Sequence, residues 1–407
     1  MKNKPLFAIF LVVLIDLLGF SLILPLLPYY AKTFGSSQLV TGLLIASYAL
    51  AQLIGSPILG RFSDRFGRRP ILLISIFGTF LGFILLGLAN SLLILFLARI
   101  FDGLTGGNIS VAQAYISDVT DEKSRAKGLG MIGAAFGLGF IIGPVTGGFL
   151  SQWGYNVPAF FAAGISFMNM LLIYFWLPES LPEEKRTTAN NQKSPITLSA
   201  LIAAISRPFT GSILVSRFFF GVAFALFQTI FSLYAIQRFE LDAIQISYIL
   251  TYVGVLSVVT QGFLVGRVTK LLREDLLILI CVMLMAVSLV GWGFVTSIPA
   301  LLVIMLPLSF SGGLLNTLLS STLSKAVAPQ EIGGILGLSV AVESSTRVIA
   351  PIIGGWLLQQ YGTSAPGIFG ALIMAGLSAF AWVKIYNHPI ALGFLNRPEP
   401  QTVPIED

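Results

Sequence analysis

The chain has 407 residues, of which 56% are hydrophobic and 10% charged. Soluble domains carry roughly 25% charged residues, and one or two soluble cores cannot hide this much apolar surface at this length, which argues against a soluble enzyme. A net charge of +6 would point to nucleic acid only if it were clustered on a soluble face.

In lipid every backbone N–H and C=O must be satisfied internally, so spans are helices or closed barrels. The apolar runs here last about 18–25 residues without alternation, which matches helices crossing roughly 30 Å of hydrocarbon. Barrel strands would be about 10 residues long and alternate. The fold class expected is therefore all-α, with twelve membrane helices at about 6–30, 41–59, 71–90, 92–117, 127–151, 158–177, 209–236, 244–266, 276–295, 299–323, 334–357 and 365–386. The first run is too long for a signal-peptide core and no small-x-small cleavage site follows it.

The first span holds Asp16-Leu-Leu-Gly19, then Pro25 and Pro28. Ten residues at 1.5 Å each place Asp16 roughly 15 Å deep. An acid there is costly and is a functional candidate by default; a static hydrogen bond to a neighbouring helix is the competing reading. The loop after the second span reads Gly60-Arg61-Phe62-Ser63-Asp64-Arg65-Phe66-Gly67-Arg68-Arg69-Pro70. Gly67 suits a tight turn, and Pro70 suits the first turn of the next helix. In the fourth span Arg99 precedes Asp102 by three residues, so the two can pair on one face, and Gly103, Gly106 and Gly107 follow. The fifth span carries Gly133, Gly137, Gly139, Gly143, Pro144, Gly147 and Gly148. Small residues four apart form a flat stripe that lets another backbone approach, and Pro144 removes a backbone hydrogen bond and can kink the helix.

A polar stretch, 178–208, separates spans six and seven and reads as a linker. Arg217, in the seventh span, is expected near the inner surface, where snorkelling would satisfy it. Glu343 and Arg347 lie one turn apart at mid-depth in the eleventh span, a good ion-pair spacing that suits either a coupled switch or a structural clasp. The chain has a single cysteine, Cys281, and a single histidine, His388. That excludes an intramolecular disulfide and leaves no set for a cysteine-based metal site. No cofactor is expected, and no G-x-x-x-x-G-K-[ST] loop is present to bind ATP.

The halves repeat. Gly60-Arg61 recurs as Gly266-Arg267 and Gly106-Gly107 as Gly312-Gly313, both 206 residues on; Pro144, Gly147 and Gly148 recur as Pro351, Gly354 and Gly355, 207 residues on. Two parallel six-helix halves then run over 1–178 and 209–386, with a linker at 179–208 and a tail at 387–407. Repeats of this kind place a site between the halves near the midplane. With the N-terminus inside, nineteen of the 24 Lys and Arg fall in inside loops, two in outside loops and three within spans. Positive charge gathers on the cytoplasmic side, so both termini are expected there. This accounts for the basic charge with no nucleic-acid partner.

Three patterns carry a resemblance. The Gly60–Arg69 loop is similar to the G-x-x-x-D-R-x-G-R-R signature of the major facilitator superfamily. There the Asp and Arg hold a helix of the opposite half, which implies Asp64 and Arg65 as a latch, with Gly60, Gly67, Arg68 and Arg69 completing the loop. Gly139–Gly148 resembles the G-x-x-x-G-P-x-x-G-G antiporter motif of drug exporters, which uptake members usually lack. The Asp16 segment resembles the D-x-x-G-x-x-x-x-x-P-x-x-P start of tetracycline/proton antiporters, and Arg99 to Gly103 resembles the family's R-x-x-x-G, where the arginine sits near the proton-carrying acid. The resemblance implies a proton-coupled exporter of small amphipathic molecules in a cell membrane, monomeric and not an enzyme. Asp16 and Glu343 would then be proton carriers and Arg99, Arg347 and Asp102 their tuners. No acid is expected in the ninth span and no histidine in the eighth, both positions that tetracycline exporters use. An uptake symporter or facilitator of the same fold remains the alternative; a polytopic membrane enzyme would need clustered His, Asp or Cys.

Overall fold

The computed structural model describes residues 4–186, 198–328 and 331–387. Lys2, Lys193, His388, Arg397, the middle of the linker (187–197) and nearly all of the tail lie outside the described residues. Twelve helices are long and apolar enough to cross a membrane. They are α1 (Lys4–Ile23), α2 (Gln38–Phe66), α3 (Arg68–Gly87), α4 (Leu92–Val119), α5 (Gly128–Trp153) and α6 (Asn156–Trp176), then α7 (Pro208–Phe239), α8 (Ala243–Leu271), α9 (Glu274–Phe294), α10 (Ile298–Lys325), α11 (Ile332–Tyr361) and α12 (Ala365–Tyr386). The described part of the linker is not wholly irregular: Leu198–Ile205 is a short helix that packs on α7. Helix α9 starts two residues earlier than its apolar run, so Glu274 and Asp275 stand in its first turn. The expected absence of acids there holds only for its interior.

Helix ends follow local chemistry. Gly67 makes the turn between α2 and α3 at φ +103, a region open to glycine at little steric cost. The Ser37 hydroxyl accepts from Val40 N at the start of α2. Asp242 and Gln245 form a reciprocal capping box on α8, which satisfies two otherwise orphaned donors.

Packing repeats with the sequence. Helix α1 lies on α5 and α6, α2 on α4, and α3 on α4 and α6; α7 lies on α11 and α12, α8 on α10, and α9 on α10 and α12. Contacts across the two sets are concentrated in α2 with α11 and α5 with α8. Each crossing pair is the image of the other under the same repeat. The second set shares one extended apolar core, from Phe209 to Ile385. The first set has two: one around Leu72 and Tyr115, the other around Leu44 and Phe83. Buried Asp16, Thr79, Arg99, Asp102 and Asn108 interrupt the apolar interior of this set.

Candidate functional site

In the first half, Arg99 Nη1 donates to Asp102 Oδ2 at 2.9 Å, and both side chains are buried. The Arg99 guanidinium also lies over the Tyr48 ring, 4.2 Å from its centroid. Gln52 Nε2 donates to Tyr48 Oη at 3.1 Å and to Gly106 O at 3.0 Å. The glycines of α4 make this possible. A Cβ on Gly103 would meet Tyr48 O at 2.5 Å, so only a bare backbone lets α2 bring Tyr48 and Gln52 this close. At Gly106-Gly107 the α4 hydrogen bonding breaks, and helix resumes at Asn108. The Asn108 side chain and the Asp102 carboxylate both lie near enough to the Asp16 carboxyl to act on it. Asp16 is buried and, unlike Asp102 and Glu343, has no basic partner among the described residues.

The α5 stripe holds α1 in place. A Cβ would meet Leu17 at 3.1 Å from Gly139, Ser21 Oγ at 2.0 Å from Gly143 and Leu22 O at 2.3 Å from Gly147. Ser21 donates to Gly139 O at 2.8 Å. Thus three of the four motif glycines seat the helix that carries Asp16. Gly148 instead meets Ser247 of α8, across the halves. Pro144 cannot donate to the carbonyl of residue 140. That freed carbonyl is where α8 closes in: a Cβ on Gly254 would lie 2.7 Å from Phe140 O, and Thr251 donates to Ile141 O at 3.2 Å.

In the second half, Glu343 is clamped from both sides. Arg217 Nη2 lies 2.5 Å from Oε2 and Arg347 Nη2 lies 2.9 Å from Oε1. Arg217 Nη1 also donates to Asn316 O at 3.0 Å. The expectation that Arg217 snorkels to the inner surface is therefore corrected: its side chain is 7% exposed and ion-paired inside the half. Its partner is 126 residues away in sequence, so no local spacing could reveal it. Arg347 is half-exposed and acts electrostatically on Tyr48 of the other half, as do Asp16, Arg99 and Asp102. Tyr48 thus lies within electrostatic range of both charge clusters, a placement that spacing did not suggest.

The loop residues form a third cluster at the terminus-bearing end. Arg68 pairs with Asp64 and, through Nε at 3.0 Å, with Asp118 of α4. Glu179, just past α6, accepts from Arg68 N at 2.9 Å and Arg69 N at 3.2 Å, so a carboxylate caps the positive end of α3. Arg65 is exposed, 5.2 Å from the centroid of the Phe66 ring, and Gly60 faces open space. Asp64 is tied within its own half. Among the described residues, the latch to the opposite half that the resemblance implied for Asp64 and Arg65 is not made in this structure.

The two ends of the molecule differ. At the end away from the loop cluster, a Cβ on Gly42 would lie 2.2 Å from Pro351 O, and one on Gly355 2.5 Å from Gln38 O. Tyr29 Oη donates to Leu241 O at 2.5 Å, and Leu39 N to Gln359 Oε1 at 3.2 Å. At the loop end, Gly130 and Gly133 of α5, Gly262 and Gly266 of α8 and Gly333 and Gly334 of α11 have nothing within 4 Å. The halves are closed on one side of the charge clusters and apart on the other.

Two helical halves meeting at one end around a charged interior are the architecture of a membrane transporter. The sequence pattern of the Major Facilitator Superfamily matches residues 9–346 and 213–406, and the chain belongs to that family. It is 29% identical to the class B tetracycline resistance protein of Escherichia coli over 96% of each chain. It is 31% identical to Multidrug resistance protein 2 of Bacillus subtilis over 96% of this chain and 98% of that one. Among solved structures, the human organic anion transporter MFSD10 superposes with a TM-score of 0.71 at 22% identity, over 93% of this chain and 99% of the other. A bacterial homologue of the lysosomal transporter Spinster gives 0.78 at 14%, over 96% and 99%. These two likenesses concern the fold.

Proposed function

We propose that the protein is a proton-coupled exporter of small amphipathic, drug-like molecules, working as a monomer by alternating access. The loop end faces the cytoplasm, with both termini on that side, because nineteen of the 24 Lys and Arg then lie inside. The structure then corresponds to the inward-open state. Relatives named for tetracycline and multidrug resistance support export of drug-like cargo.

One observation carries the coupling. Among the described residues, Asp16 is the mid-membrane acid without a basic partner, whereas Asp102 and Glu343 are each held by arginine. A carboxylate without a counter-ion is costly inside a membrane. A bound proton relieves that cost, and so does a cationic or hydrogen-bond-donating group on a substrate. The two compete for one carboxyl: substrate enters from the cytoplasm as the proton leaves, and a proton from outside displaces it after the halves rock. The Arg99–Asp102 pair and Tyr48 hold the wall beside Asp16; Arg217 and Arg347 clamp Glu343 opposite.

Inverted membrane vesicles with an acidified lumen test this. Adding a transported drug should release protons from the lumen, and Asp16→Asn should abolish the release at equal protein level. Full proton-driven export by Asp16→Asn would refute the assignment.

A further inference from the structure

On the lipid-facing side of the first half, away from the central site, α3 and α6 leave a groove of about 340 Å³ lined by Leu73, Ile74, Phe77, Met170, Leu171 and Tyr174. Ile74, Phe77, Leu171 and Tyr174 are exposed large side chains, so in a membrane this groove meets acyl chains. Beside it, Phe80 packs on Phe77 at 6.3 Å and on Phe167 at 5.8 Å. One end of the groove lies at the interface. Phe175 and Trp176 there are 71% and 70% exposed, as aromatic side chains are at headgroup level.

Arg69 stands at that mouth, one helical turn before Leu73. Its guanidinium is 5.9 Å from the centroid of the Tyr174 ring and donates to Tyr174 O. It makes no ion pair among the described residues, although Arg68 beside it makes two. Its Nε is shielded and has no hydrogen-bond partner. The nearest acid along this surface, Glu179, is occupied by the amides of Arg68, Arg69, Ser180 and Leu181 and by Arg186. An arginine with unspent charge at the head of an apolar groove matches a molecule with an anionic head and an alkyl tail. Arginine recognises phosphate by charge-assisted hydrogen bonds, and basic pockets between helices on the cytoplasmic side bind anionic lipid headgroups.

We infer that the α3–α6 groove is a binding site for an anionic phospholipid of the inner leaflet, its phosphate on Arg69 and one acyl chain along Leu73, Ile74 and Phe77. Titration of detergent-purified, delipidated full-length protein, followed by native mass spectrometry, tests it. The probes are phosphatidylglycerol and phosphatidylcholine of identical chains, and inorganic phosphate. Phosphatidylglycerol should bind about tenfold more tightly than phosphatidylcholine. Arg69→Gln should remove that preference while leaving phosphatidylcholine binding; Arg61→Gln, an exposed arginine at the same surface, should keep it. Ile74→Trp, which fills the groove, should weaken both lipids. Equal affinity of the native protein for the two lipids would overturn the proposal, as would a preference that survives Arg69→Gln. Inorganic phosphate competing as well as the lipid would overturn it too. The Arg69 and Arg61 comparison decides the matter even if Ile74→Trp fails to fold.

Discussion

Gly42 offers a direct handle on the balance between states. A Cβ there would lie 2.2 Å from Pro351 O and 3.1 Å from Pro351 C. Ordinary carbon contacts need 3.5 Å or more, so Gly42→Ala must push α2 and α11 apart by roughly 1 Å at the closed end. Both obstructing atoms are backbone, so no side-chain rotation relieves the clash. Overpacking of this kind costs about 1–3 kcal/mol, and it falls only on the state closed at this end. At 1.4 kcal/mol per decade, the population closed at this end should drop about five- to a hundredfold against its alternative. Spin labels at positions 39 and 359, in a Cys281→Ser background, report the change: the pair lies together across the closed end and should separate. Gly164→Ala provides the comparison, since Gly164 has nothing within 4 Å and is exposed on α6. An unchanged distance distribution in Gly42→Ala, with the protein folded, would refute the view that backbone approach at this glycine closes this end.

Three further outcomes are expected. Arg217→Met leaves Glu343 with only the half-exposed Arg347; breaking a buried pair costs about 3–5 kcal/mol, so the detergent melting temperature should fall, and Glu343→Gln on the same chain should restore part of it. Tyr29→Phe removes the hydroxyl that donates to Leu241 O and should raise the reactivity of a cysteine placed at position 241 by a few-fold, a neutral hydrogen bond being worth about 1 kcal/mol. Hydrogen bonds from the Arg207 guanidinium hold the Glu331 carboxyl below its ordinary value. A depressed carboxyl contributes stability above the unfolded-state pKa that is lost as pH falls through the folded one. Melting curves below pH 4.5 should therefore fall less in Glu331→Gln than in the native chain, and the difference should shrink in high salt because the pair is exposed.

Much of this architecture is legible in sequence because lipid enforces it. Twelve apolar runs become helices, and the 206-residue repeat becomes a repeat of packing. Local spacing likewise anticipates the Arg99–Asp102 and Glu343–Arg347 pairs, since residues three and four apart share a helix face. What spacing cannot hold is a partner on another helix. Arg217, Asp118 and Glu179 each complete a cluster from far along the chain, and Tyr48 and Gln52 reach α4 only because Gly103 leaves room. The glycine stripe of α5 was legible as a surface of close approach, but its division of labour was not: three glycines seat α1, whereas Gly137 and Gly148 meet α8 of the other half. The break at Gly106-Gly107 was hidden too, because paired glycines in an apolar run serve equally for close packing and for a turn.

The placement of charge bears on how such a carrier can move at all. Every ion pair among the described residues lies within one half, within the start of the linker, or, as Arg207–Glu331, between the end of the linker and the second half; none spans the two halves. The closed end is held instead by glycine-mediated backbone approach and by three hydrogen bonds with neutral partners, from Tyr29, Leu39 and Thr251. Each such bond contributes about 1 kcal/mol net, whereas separating one buried ion pair costs about 3–5 kcal/mol. One proton crossing a membrane potential supplies about 2.3 kcal/mol per 100 mV. Under the proposed proton coupling, a gate of neutral contacts is therefore within reach of a single proton's work, and a gate of several buried ion pairs would not be. The ion pairs stiffen each half as a rigid body, and the interface between the halves is left soft enough to open.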